Sequence, residues 1–160
     1  MKTFKNKTIL ITGASSGIGE AMVYQLRDPS VKLLLVARSG DKLQAMVEAL
    51  ERQGVWAQAY PCDLAQPGAA EALFQRLTED GYRVDVLINN AGFGKYGRFD
   101  QISLSDTLEM LRLNIENLVA LTHLCIPHML ERGDAGILNV ASTAGFQGIP
   151  YMAVYAATKS

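Results

Sequence analysis

A doubly wound α/β domain built on a parallel sheet is the fold this sequence predicts, and three observations predict it. Five short apolar, β-prone runs alternate with segments whose apolar residues recur every three or four positions. The first run ends in Thr12-Gly13-Ala14-Ser15-Ser16-Gly17-Ile18-Gly19, a glycine-rich turn that opens into a helix. Polar residues suited to chemistry gather at the carboxyl ends of the runs, where open α/β sheets receive their ligands.

The elements follow in order. Thr8 to Ile11 is the first strand, and after the glycine turn Ile18, Met22 and Leu26 mark the apolar stripe of the first helix. Asp28-Pro29-Ser30 turns the chain into Leu33-Leu34-Leu35-Val36-Ala37, continuously apolar as a strand covered on both faces must be. The second helix is expected to be capped by Ser39, to carry Asp41 in its first turn and to end before Gly54. Leu43, Met46, Val47 and Leu50 form its buried stripe. Val55 to Tyr60 is a third strand, and Pro67 suits the first turn of a helix with Ala70, Leu73, Phe74 and Leu77 inward. Val84 to Ile88 is the fourth strand, closed by Asn89-Asn90-Ala91-Gly92. A loop rich in glycine and aromatics, 93–100, precedes a long helical pattern from Leu104 to Arg132 that Gly133 ends. Leu108, Leu111, Ile115 and Leu118 share one face of it, and Pro127 should kink or break it. Gly136 to Ala141 is the fifth strand. With right-handed crossovers the whole of 1–160 forms a single domain.

Composition narrows the function. Nearly half of the 160 residues are apolar, enough for a real core, and a net charge of −1 argues against nucleic acid or an anionic membrane as partner. Cys62 and Cys125 give neither a disulfide framework nor metal-ligand spacing, so no metal is expected and a reduced, cytoplasmic setting is. The basic stretch Met1 to Lys7 precedes an apolar run too short for a signal segment or a membrane span. His123 and His128, Trp56 and the methionines read as surface or packing residues.

The turn residues Gly13, Ser15, Ser16, Gly17, Ile18 and Gly19 offer free N–H groups and the positive end of a helix, which suit a diphosphate. In dinucleotide-binding folds an acid after the second strand holds the ribose 2′-hydroxyl. Here Ala37 is followed by Arg38, whose guanidinium suits a 2′-phosphate, so the sequence leans to NADP(H) over NAD(H). The competing reading of Arg38 is an ordinary surface arginine. Asp63, at the end of the third strand, either accepts a hydrogen bond from an adenine amino group or satisfies N–H groups of its own turn. Asn89 to Gly92 is either a plain strand-ending turn or a place where a ligand approaches the backbone. Tyr155 and Lys159 share a helix face if their segment is helical, and an ammonium beside a phenol favours the phenolate. Ser142 places a hydroxyl at a strand end, and Asn114 is a polar residue beside an apolar stripe that needs partners if buried.

Together, the Thr12-Gly13-xxx-Gly17-x-Gly19 turn, Asn89-Asn-Ala-Gly92, Asn114, Ser142 and Tyr155-xxx-Lys159 resemble the short-chain dehydrogenase/reductase family, in its non-extended branch. The resemblance covers essentially the whole chain, and the glycine spacing disfavours a nucleotide-sugar epimerase of the extended branch. It implies a Rossmann-type fold and hydride transfer between nicotinamide and a carbonyl or alcohol. Tyr155 would be the general acid/base, with Lys159 favouring its phenolate and holding the nicotinamide ribose. Ser142 would polarise the carbonyl, and Asn114 would support a water-mediated proton relay. Asp63 and the adjoining Leu64 would meet the adenine; Asn89, Ala91 and Gly92 would serve the adenosine side and the central sheet. Ala141 stands where many members carry a second serine.

Sparse charge in loops 93–99 and 146–152 suggests an apolar substrate. The family's long and catalytic helices commonly build the subunit interface, which implies a homodimer or homotetramer. Family members continue past the lysine, whereas this sequence ends at Ser160. The expectation is therefore a sheet without its C-terminal strands and a fraying helix around Tyr155. Either the activity belongs to a longer protein, or the chain is a non-catalytic dinucleotide-binding or scaffold protein.

Overall fold

Strands form where the apolar runs lie: β1 (Thr8–Thr12), β2 (Lys32–Ala37), β3 (Trp56–Pro61), β4 (Val86–Asn89) and β5 (Gly136–Asn139). The computed structural model, which describes residues 4–160, pairs them all in parallel in the order β3-β2-β1-β4-β5. Between them run α1 (Gly17–Gln25), α2 (Gly40–Glu51), α3 (Ala69–Glu79), α4 (Leu104–Leu111), α5 (Asn117–Arg132) and α6 (Ala153–Lys159). Side chains alternate across a strand, so each strand feeds two cores. Ile9, Ile11, Leu33 and Leu35 pack with Val23 of α1 and Leu43, Val47 and Leu50 of α2. Leu10, Leu34, Val36 and Leu87 turn the other way, onto Leu73 and Leu77 of α3 and Leu121 and Cys125 of α5. Each fully buried Leu or Ile of these sets contributes roughly 1.5–3 kcal/mol. The chain winds outward from β1 to β3, then returns to β4 on the other side of β1. That reversal opens a crevice at the carboxyl ends of β1 and β4.

Several local expectations are corrected. The first helix buries Gly19 and Val23, with Met22 and Leu26 partly covered, while Ile18 is 60% exposed because it faces the crevice. Pro67 precedes α3, whose N-cap is Gly68 at φ +72°, a left-handed conformation suited to glycine. Ser39 holds the N-cap position of α2 without a side-chain bond.

The long helix differs most. A π turn, Arg112–Glu116, joins α4 to α5, and the helix runs on through Pro127, which lies on its exposed side. The π turn shifts the phase of the helix, so the buried face is Met110, Asn114, Asn117, Leu121, Cys125 and Met129, not the expected leucine stripe. Leu108 and Ile115 remain exposed. The buried asparagines are satisfied: Asn117 Oδ1 accepts from Ala70 N at 2.9 Å, and its Nδ2 donates to the Arg112 carbonyl. β5 is two residues shorter than expected, although Val140 N still donates to the Asn89 carbonyl at 2.9 Å.

At the amino-terminal end of the central strands Asp85, 1% exposed, accepts from Thr8 N at 2.9 Å and from Arg132 Nε at 2.8 Å. This pins the end of α5 beneath β1 and β4. No helix among the described residues is long and apolar enough to cross a membrane.

Candidate active site

The glycine turn is built by backbone contact. Gly13 sits at φ +66° and Gly17 at φ +57°, and a Cβ on Gly19 would run into the carbonyl oxygen of Gly13. The turn is also tied to the end of β4. Thr12 Oγ1 accepts from Asn90 N and Ala91 N, both at 3.0 Å, and donates to the Ile88 carbonyl. Asn90 Nδ2 returns bonds of 3.0 Å and 3.2 Å to the carbonyls of Thr12 and Gly13. Both sides of the switch point therefore form one rigid cradle.

Above it lies a cleft of about 420 Å³. Ser15, Ser16 and Ile18 form its floor, Arg38, Lys42, Asp63 and Leu64 one end, and Val140, Tyr155 and Lys159 the other. Ala91 and Gly92 line the middle. Asp63 accepts from Gln66 Nε2 at 2.9 Å and from Ala65 N at 3.1 Å. The Gln66 bond above all, then the Ala65 bond and the charge of Arg38, hold its carboxyl below the usual carboxylate range. It thus braces its own turn while facing the cleft. Among the described residues neither Arg38 nor Lys42 makes an ion pair.

Of the four catalytic candidates Tyr155 and Lys159 line the far end, and Ser142 and Asn114 lie outside the cleft lining. Tyr155 and Lys159 stand one turn apart on α6, and both line the cleft. Lys159 Nζ donates to the Val140 carbonyl at 3.2 Å, and among the described residues no hydrogen bond joins it to Tyr155. Ser142 caps the short turn Thr143–Gly145, accepting from Ala144 N at 3.2 Å, which leaves its own hydrogen available to donate. Asn114 is 3% exposed and lies behind the cleft wall. Its Oδ1 accepts from Phe93 N at 3.1 Å, and its Nδ2 donates to the Phe93 carbonyl and to Thr158 Oγ1, both at 2.9 Å. Both amide hydrogens are therefore engaged in bracing the 93 loop and α6. These bonds tie α6, seen as a helix over Ala153–Lys159, to the 93 loop.

Asn89 serves the central sheet and does not line the cleft. Its amide donates to Thr122 Oγ1 at 3.0 Å and to Asn139 Oδ1 at 2.9 Å, and Asn90 lines the cleft in its place. Strand parity carries this signal: Leu87 packs on the α5 side, so Asn89, two residues on, must too. Sequence reasoning counted Thr12 in the glycine motif without giving its hydroxyl a task, and it passed over Lys42. Lys42 has a signal of its own, a cation in the first turn of α2, where the helix dipole disfavours positive charge unless an anion joins it.

A rigid glycine cradle at the switch point of a parallel sheet, cationic at one end and carrying a Tyr/Lys pair at the other, defines a Rossmann-type dinucleotide cleft. The short chain dehydrogenase family model matches residues 7–160, and the chain belongs to that family. A ketoacyl reductase of Nostoc sp. is 36% identical over 160 residues, covering 100% of this chain and 56% of the relative. The chain thus spans little more than half the length of that relative. A short-chain dehydrogenase from Sphingobium yanoikuyae, solved in complex with NADPH, superposes with a TM-score of 0.88 at 36% identity, covering 96% of this chain and 60% of that one. A short chain dehydrogenase/reductase from Burkholderia phymatum, in complex with NAD, gives 0.90 at 30% identity, covering 99% of this chain and 57% of that one.

Proposed function

We propose that the protein carrying this chain is an NADP(H)-dependent oxidoreductase acting on a carbonyl or alcohol, with Asn114, Ser142, Tyr155 and Lys159 serving the reaction. The observation that carries the reading is one cleft holding Arg38 and Lys42, without an ion pair among the described residues, at one end and Tyr155 with Lys159 at the other. The residues fit such a cofactor. The close approach of Gly13 and Gly19 leaves the start of α1 bare for a diphosphate, and Arg38 and Lys42 offer charge for a 2′-phosphate. Asp63 and Leu64 stand at the adenine end.

A nicotinamide, when bound, would supply or accept the hydride, and the chain supplies orientation and proton transfer. In reduction Tyr155 gives its phenolic proton to the substrate oxygen as negative charge develops there. Lys159, oriented by the Val140 carbonyl, places a positive charge on the same wall and holds the cofactor's ribose. Ser142 donates its free hydrogen to the carbonyl and polarises it. Asn114 acts by locking the 93 loop against α6. Lys95 pairs with Asp106 at 3.1 Å and Arg98 with Asp100 at 3.0 Å, so the charges of the 93–100 loop are already neutralised. That favours an apolar substrate. The exposed side of the long helix, with Leu108, Ile115, Val119 and Leu130, supports self-association as a homodimer or homotetramer; the cytoplasm is the compartment proposed, from the sparse cysteines of the sequence.

The test is NADPH oxidation by the full-length protein with aliphatic and aromatic ketones, repeated with Tyr155→Phe. Loss of about 100-fold or more in kcat with cofactor affinity retained is expected. Undiminished turnover by the phenylalanine variant would remove Tyr155 from the mechanism.

A further inference from the structure

We infer that Gly94 is a positioning residue for Tyr155: the absence of a side chain at 94 sets where the phenol ring lies in the cleft. This rests on the reductase reading for its catalytic consequence, and on the structure for its geometry. A Cβ built on Gly94 would lie 2.8 Å from Tyr155 Cδ2, 2.9 Å from Tyr155 Cγ and 3.2 Å from Met152 Cε. Real Cβ contacts do not come that close, so something must give way. Met152 Cε is the free end of a flexible chain and can yield. Tyr155 Cγ is the root of the ring, one bond from Cβ, and moves only if the rotamer or the helix moves.

The helix has nowhere to go. Gly145 lies against the carbonyl of Lys159, so closely that a Cβ there would overlap it. Thr158 is bonded to Asn114, and Lys159 Nζ to Val140. The loop carrying Gly94 is equally fixed: both backbone polar groups of Phe93 are bonded to Asn114, and Gly97 N donates to the Tyr151 carbonyl at 2.9 Å. The same Asn114 thus holds the glycine and the tyrosine helix in mutual register, and a methyl group between them must be absorbed by the phenol. Gly94 has no positive φ in the structure, so its role is close approach and not backbone conformation.

The experiment has two arms on the full-length protein. In the first, Tm is measured for wild type, Gly94→Ala, Tyr155→Ala and the double variant. Gly94→Ala should lower Tm by about 2–4 °C beside the native tyrosine and leave it unchanged when the ring is absent. Equal shifts in both backgrounds overturn the contact. In the second, NADPH affinity and reduction of acetophenone and nonan-2-one are compared for wild type and Gly94→Ala. The expected result is a 10- to 100-fold loss in kcat, estimated roughly from the cost of a misplaced catalytic group, with NADPH affinity unchanged. An unchanged kcat overturns the positioning role. Absence of turnover in wild type overturns the reductase reading instead, and the Tm arm then still decides whether Gly94 seats Tyr155.

Discussion

Replacing Asn114 by alanine should loosen the candidate site more than any other single change on its wall. The side chain makes three hydrogen bonds, to Phe93 N, the Phe93 carbonyl and Thr158 Oγ1, in a position 3% exposed to solvent. At about 1 kcal/mol net for each bond, the loss is roughly 3 kcal/mol. Thr158 Oγ1 keeps its bond to the Tyr155 carbonyl, whereas Phe93 loses both of these partners at once. For a domain of this size about 2–4 °C of Tm accompanies each kcal/mol, so Asn114→Ala should melt roughly 6–12 °C lower. Thr158→Val removes one of the three bonds and should cost about a third as much. The two changes should be non-additive, because they share a bond. Differential scanning calorimetry of the four proteins of the cycle measures this. A drop of only about 1 °C for Asn114→Ala would refute the claim that its amide locks the 93 loop to α6.

Three further predictions are independent of that one. Arg38→Ala should weaken NADPH binding about five- to tenfold and leave NADH within about twofold, Lys42→Ala should do the same less strongly, and isothermal titration would expose a common loss for both cofactors if the cations serve something else. Asp63 is ionised more readily in the folded chain than when free, so its bonds to Gln66 and Ala65 stabilise the fold above the ordinary carboxylate range and are lost as the pH falls through its lowered value. Melting curves between pH 2.5 and 5, roughly bracketing that range, should therefore fall more steeply for wild type than for Asp63→Asn, and parallel curves would contradict this. Cys125 is fully enclosed between α5 and the sheet, and burial pushes its thiol up to about 12. Iodoacetamide at about pH 8 should label it only after unfolding, and native labelling seen by mass spectrometry would show that the helix opens.

The sequence determined the strand–helix order, the two-sided burial of β2 and the glycine turn, because these depend on local periodicity and on the lack of a Cβ at fixed positions. It also placed Arg38, Asp63, Tyr155 and Lys159 around one cleft, since the end of each strand or the face of one helix is a local property. Tertiary structure decided which asparagine serves which purpose. Asn89 and Asn90 are neighbours with the same chemistry, and the pleat sends one to Thr122 and Asn139 and the other to the glycine turn. It also decided the face of the long helix. Helical periodicity marks Leu108, Leu111, Ile115 and Leu118, but a π turn, held open around two buried asparagines with partners far away in sequence, rotates a different set inward. The seat of Tyr155 is of the same kind. A glycine sixty-one residues earlier leaves room for the ring, and only when the 93 loop and α6 are brought together by Asn114 does that missing side chain acquire a meaning. Local chemistry fixes the parts; distances between parts far apart in the chain exist only in the folded molecule.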